Sequence, residues 1–222
     1  MKSCSALIPA AFLLLVSCAT IPPPSESGSS TPAEGDLSKT QALLVEGARS
    51  VLGKDRLVIR GKEFRIDCTG VVMAIYYYAG IDLSPAMSAY SGNGVNRLYS
   101  YLREKKLIYR ADIPAPGDII FWDNTWDANE DGVYNDYLTH TGMVVEVDKT
   151  GLITYVHHNY SKGIVTEYMN LTDPDTERAT RKGEIVIINS PMRMRGSPPA
   201  PEGQRLASHL AKSFGKGYLL PR

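Results

Sequence analysis

No apolar run in this chain is long enough to cross a bilayer. The longest, Ala6 to Val16, falls short of the roughly 20 residues that a spanning helix needs, which excludes it as a transmembrane segment. An excess of either charge is also missing, because 24 Lys+Arg balance 24 Asp+Glu, and removal of Lys2 with an export segment leaves a net charge near −1. No footprint for nucleic acid is visible in such a balance. Cysteine is scarce, with three in 222 residues. From residue 40 onward Cys68 stands alone, so no disulfide can form within the folded part. Neither an HExxH motif nor a cysteine pair accompanies His140, His157, His158 and His209, a poor basis for zinc. No internal repeat is visible, and the length suits one domain with its own core rather than two.

What is present begins with an export signal. Lys2, the apolar run and Ser17-Cys18-Ala19 make a charged start, a short greasy core and a small-residue cleavage point. The stretch LVSC, Leu15 to Cys18, resembles the lipobox of bacterial lipoproteins. That resemblance implies removal of residues 1–17, lipidation of Cys18 and attachment to a membrane through the lipid. Ala19, where an aspartate would retain a lipoprotein at the inner membrane, implies a periplasm-facing protein of the outer membrane. Residues 18–38, rich in Pro, Ser and Gly from Ile21 to Asp36, read as a disordered tether.

Residues 39–192 read as one α+β domain. Apolar spacing predicts helices over Lys39–Leu52, from Cys68 to the stop at Gly80, and over Gly94–Lys105. Strand-like residues occupy Leu57–Arg60. After the turn Pro114–Asp118 come the β-branched and aromatic runs IIFW, TGMVVEV, LITYV and EIVII, with a hairpin loop at Val147–Leu152. Helices first and an antiparallel sheet afterwards define the class. Residues 193–222 read as a loosely docked tail, with RLASHLAKSF able to form one short amphipathic helix.

Cys68 lies in RIDCTGVVMAIYYYAGI, where extended residues give way to a helical pattern. Unpaired N–H groups and the positive dipole end at a helix start predict a thiol pKa below the free value of about 8.5, hence a nucleophile. In a compartment that favours disulfides an unpaired thiol is a hazard, so its presence points to a chemical role. DCTG at Asp67–Gly70, PGDIIFW at Pro116–Trp122 and THTGMVVEV at Thr139–Val147 resemble, in order and rough spacing, the papain-like NlpC/P60 and CHAP cell-wall hydrolases. The resemblance covers about residues 40–190.

It implies a papain-like fold, N-terminal helices packed on a small antiparallel sheet, and cysteine peptidase or amidase chemistry without a catalytic cofactor. An amide carbonyl is a poor electrophile, so its cleavage needs a thiolate, a proton carrier and donors for the oxyanion. Cys68 takes the first role and His140 the second; the Cys68 backbone N–H is the nearest oxyanion donor. A third polar residue, by resemblance on the next strand, would orient the His140 ring. In LITYVHHNY, alternation from Ile153 and Tyr155 places His157 and Asn159 on one face and His158 on the other. Parity selects His157, and a one-residue bulge would substitute His158. Asp67 reads as a helix cap or a supporting group rather than a catalytic acid.

Between IIFW and His140 lies DNTWDANEDGVYNDYL. Asp127, Asn129, Asp131 and Gly132 match the first, third, fifth and sixth positions of a calcium loop, with the Val133 carbonyl as the seventh and Asp136 able to close the site. Leu138 stands where an EF-hand has Glu. Structural Ca²⁺ and a plain acidic turn both remain open.

The sequence departs from many NlpC/P60 members before the nucleophile, where RLVIRGKEFRIDC replaces a Tyr- and Gly-rich stretch, so endopeptidase and amidase both stand. The expectation is a monomeric, lipid-anchored peptidoglycan hydrolase acting on cell-wall peptides through a thioester. The alternatives are a catalytically silent peptidoglycan-binding lipoprotein and a cysteine amidase or acyltransferase with a non-wall substrate.

Overall fold

A computed structural model of the chain describes Met1 and residues 34–222, with side chains described from Lys39 onward. The export segment 1–17, Cys18 and most of the 18–38 tether lie outside the described residues. Among the described residues no helix is long and apolar enough to cross a membrane.

The first helix, α1 (Glu34–Val51), begins ahead of Lys39, so the end of the stretch read as tether is helical. Leu44, Ala48 and Val51 form its buried stripe. A small hairpin follows, β1 (Leu57–Ile59) and β2 (Lys62–Phe64), paired antiparallel. Next comes α2 (Cys68–Tyr78), whose burial from Thr69 to Val72 and from Ala74 to Tyr76 makes it the central helix. Its start is fixed by Asp67, whose carboxylate accepts the Gly70 N–H at 2.7 Å, and its end by the Gly80 N–H on the Tyr77 carbonyl. A short turn of helix, α3 (Ser84–Met87), leads to α4 (Gly94–Glu104). Asn93 caps α4, and Val95, Leu98 and Leu102 face inward, as their spacing predicts.

Strands β3 (Ile108–Tyr109), β4 (Ile119–Trp122), β5 (His140–Val147), β6 (Ile153–Asn159) and β7 (Gly163–Met169) come next. A separate hairpin of β8 (Arg178–Arg181) and β9 (Glu184–Ile187), a short helix α5 (Ala207–Leu210) and a last strand β10 (Ala211–Gly215) complete the chain. Six strands form one antiparallel sheet in the order β3-β10-β4-β5-β6-β7. The architecture is α+β, with the helices leading.

The sheet is covered on both faces. Ile119, Phe121, Met143 and Val156 pack with Val71, Val72, Ile75 and Leu98 of the helices. Ile120, Trp122, Val144 and Tyr155 form a second cluster with Ala207, Leu210 and Phe214. Double coverage is why IIFW reads as an unbroken apolar run and why all four residues are buried. The turn before it is tied down by Asp118, which accepts the Ala115 N–H at 2.6 Å and the Tyr109 hydroxyl at 2.5 Å.

Two sequence expectations are corrected here. The segment EIVII does not join the main sheet: β9 pairs with β8 alone, with Ile185 and Ile187 exposed. The tail is no loose extension, since β10 lies between β3 and β4 and hydrogen bonds to both, within the same compact unit as the helices. RLASHLAKSF hid this strand because its first half is helical and the strand itself, AKSFG, has Phe214 as its one large apolar residue. Trp122 Nε1 donates to the Ala207 carbonyl at 2.9 Å, so the tail also closes the far face of β4. Truncation after Gln204 is therefore expected to abolish a cooperative thermal transition, and Phe214→Ala to cost about 3–5 kcal/mol. A truncated chain that melts like the full one would contradict this placement.

Candidate active site

Cys68 is the first residue of α2 and packs, half-buried, against the helix-side core. His140 is the first residue of β5 and is also half-buried; paired with Trp122 and beside its ring, it lies on the sheet face opposite the one that α2 covers. Helix α2 packs against β5, and the thiol feels the backbone of Thr141, the residue after His140, and of Thr69. Its side-chain contact is Thr69 Oγ1 at 4.0 Å, and among the described residues it makes no hydrogen bond to the imidazole.

Behind His140 runs a row of polar side chains. His140 Nε2 is 2.8 Å from His157 Nδ1, and His157 Nε2 is 3.1 Å from Glu167 Oε2. Lys162 Nζ donates to Glu167 Oε1 at 2.6 Å, and Asn159 Nδ2 donates to the same oxygen at 3.3 Å. His157 is 1 % exposed and Glu167 6 %, so the middle of the row is shielded from water. The Trp122 ring lies beside His140, with centroids 5.7 Å apart, and Tyr155 packs against both Trp122 and His157.

Two glycines of the motifs are required by close approach. A Cβ on Gly70 would stand 2.0 Å from the Arg65 carbonyl oxygen, so only glycine lets RID cross the helix start. A Cβ on Gly142 would stand 2.7 Å from the Val156 carbonyl oxygen and 3.1 Å from His157 Cβ. Gly142 thus lets β6 bring His157 against β5.

The register shift in the β5–β6 pairing falls between Val144 and Glu146 on β5, and β6 pairs with β7 without a break through Asn159. His157 is accordingly the residue that meets His140. His158 lies half-buried on the other face, within the field of Asp67. Asn159 reaches Glu167 and closes the β6–β7 turn by accepting the Ser161 and Lys162 N–H groups. Asp67 is the cap of α2 and pairs with Arg65 at 3.1 Å.

Glu167 and Lys162 were not found by sequence reasoning, which did not recognise β7. The signal was there: Glu167 is the sole acid in GIVTEYM, opposite Tyr155 and diagonal to His157 on the same face.

Burial pushes the Cys68 thiol above its ordinary value, the Asp67 charge adds to this, and the Thr141 and Thr69 contacts only offset part of it. This direction runs against the lowering expected from the helix start, with desolvation as its leading cause. Burial, followed by His157 and His158, pushes His140 well below 6.5. For Glu167, burial raises the pKa, yet the hydrogen bonds and charges of His157 and Lys162 outweigh it and hold the carboxyl below its ordinary value. At neutral pH the resting pair is a neutral thiol and a neutral imidazole beside an ionised Glu167. Cys68 then needs a base to give up its proton.

In the loop ahead of β5, Asp127 Oδ2 accepts the Gly132 N–H at 3.0 Å and Asp136 Oδ1 the Ala128 N–H at 3.0 Å. Asp127 Oδ1 and Asp136 Oδ2 are buried with no hydrogen-bond partner. Asp131 turns to Asn129 and Asn135 and accepts the Val133 N–H at 2.8 Å. Among the described residues no three His, Cys, Asp or Glu side chains converge as a metal cluster. Compared with known proteins, the chain matches no family model, no curated protein and no solved structure.

A depressed histidine has a signed effect on stability. Unfolded His140 binds a proton near pH 6.5 whereas the folded residue resists it, so this contribution is complete above 6.5 and is lost as pH falls below it. The melting temperature should decline on acidification through that value, and His140→Ala should flatten the decline. An identical profile in the variant would refute the assignment.

Proposed function

We propose that the protein is a cysteine hydrolase of papain-like NlpC/P60 or CHAP type that cleaves amide bonds in peptidoglycan peptides. The observation that supports this best is the row His140–His157–Glu167 at the start of β5, the strand against which α2 and its lone thiol pack. An imidazole held by a buried partner is what proton transfer from a nucleophile requires. In the proposed reaction Cys68 Sγ loses its proton to His140 and bonds to the amide carbon. His140 then returns that proton to the leaving amine as the C–N bond breaks. Water attacks the thioester, the S–C bond breaks, and acid and thiol are released.

The export signal and lipobox-like LVSC support a periplasm-facing address, with Cys18 as anchor and the outer membrane as its site. Purified sacculi should release new muropeptides with the wild type and none with Cys68→Ala or His140→Ala, as read by mass spectrometry. The raised thiol pKa favours, as a second reading, a silent wall-binding lipoprotein. In that case the wild type binds sacculi and releases nothing. Absence of both binding and release would leave the cysteine chemistry to a non-wall substrate.

The acidic loop supports structural Ca²⁺. Buried carboxylate oxygens without donors are costly, and a hard oxygen-seeking cation would satisfy those of Asp127 and Asp136. Asn129, Asp131 and the Val133 carbonyl are the further oxygens within the loop. Its far end, Leu138, is held by Asp123 and leads directly into His140, so the ion would steady the base. At about 100 times its dissociation constant, calcium should stabilise by about 2.7 kcal/mol. The rise in melting temperature should vanish in Asp136→Ala. An unchanged melt with calcium or chelator would dismiss the site.

A further inference from the structure

We propose that Glu167 is a positioning residue that sets the tautomers of His157 and His140 together, leaving His140 Nδ1 as the unprotonated nitrogen that takes the Cys68 proton. Cys68 as the proton donor rests on the hydrolase reading; the tautomers do not. An ionised carboxylate has no hydrogen, so the 3.1 Å contact to Glu167 Oε2 requires the hydrogen on His157 Nε2. A singly protonated His157 ring then carries its lone pair on Nδ1. Consequently the 2.8 Å contact requires the hydrogen on His140 Nε2, and the His140 lone pair falls on Nδ1. The direction is imposed from the outer end, where Lys162 and Asn159 supply only donors to Glu167 Oε1.

Among the described residues the two rings have no other hydrogen-bond acceptor. Trp122 packs beside His140 and Tyr155 beside His157, and His158 and Asp67 are the further titratable groups nearby. When His140 takes the proton it becomes an imidazolium that keeps donating from Nε2 to His157, whose other nitrogen is bonded to the carboxylate. Glu167 thus steadies a charge it never touches.

The arrangement predicts what an isosteric amide does. In Glu167→Gln the amide oxygen is claimed by Lys162 and Asn159, so the NH₂ group faces His157 Nε2. That reverses the row: His157 becomes protonated on Nδ1, and so does His140, which can no longer accept a proton there. Nitrogen-15 NMR of the four histidines at neutral pH reads the tautomers directly. Wild type should show both His140 and His157 protonated on Nε2, Glu167→Gln both on Nδ1, and Glu167→Asp the wild-type pattern. Alkylation of Cys68 by iodoacetamide should slow about 100-fold in the Gln variant, the scale of a lost general base, and recover in Asp. Wild-type His140 protonated on Nδ1 would overturn the proposal even if the variants do not fold. Wild-type tautomers and alkylation rate in a folded Gln variant would overturn it equally. Neither readout uses peptidoglycan, so a failure of wall cleavage leaves this test intact.

Discussion

A buried imidazole must have both ring nitrogens satisfied, and in this protein that requirement ties three strands into one site. His157 has no access to water that could replace a lost partner. Its two bonds therefore demand His140 on one side and Glu167 on the other, which in turn demand the β5–β6–β7 register as it stands. A slip of one residue on β6 would put His158 in its place and turn His157 toward the helices. The glycine at 142 belongs to the same constraint, because any side chain there would hold β6 away.

The rest of the fold serves to hold that register against the helix that carries the thiol. Central α2 packs on one sheet face through Val71, Val72 and Ile75, while the C-terminal segment closes the other through Ala207, Leu210 and Phe214. Without β10, strands β3 and β4 would each lose a neighbour, and the strand that hydrogen bonds to β5 would become an edge. The last residues of the chain thus support the site from two strands away. The same burial that orders the site also disfavours charge on Cys68 and His140.

Much of this was legible because it depends on local pattern. Asp67 caps α2 and Gly80 stops it, and apolar spacing alone marked α4. Alternation along LITYVHHNY separated His157 from His158 correctly, since β6 carries no bulge. What escaped was non-local. Strand β10 has an ordinary, rather polar sequence, and it is a strand because two other strands offer it hydrogen bonds. EIVII has strong strand character and yet stands apart with an exposed partner. Glu167 carries no motif; its role comes from lying diagonally across from a histidine ten residues earlier.

The sequence by itself determined the starts of α2 and α4, the lone thiol and the parity of the histidines. These are properties of residues and their immediate neighbours, carried by side-chain chemistry and backbone periodicity. The tertiary structure alone decided which strand fills the gap beside β4, which carboxylate closes the row behind His140, and on which side of its free value the Cys68 thiol lies. Each of these depends on strand pairing between distant segments and on desolvation, which no residue possesses until the chain has folded around it.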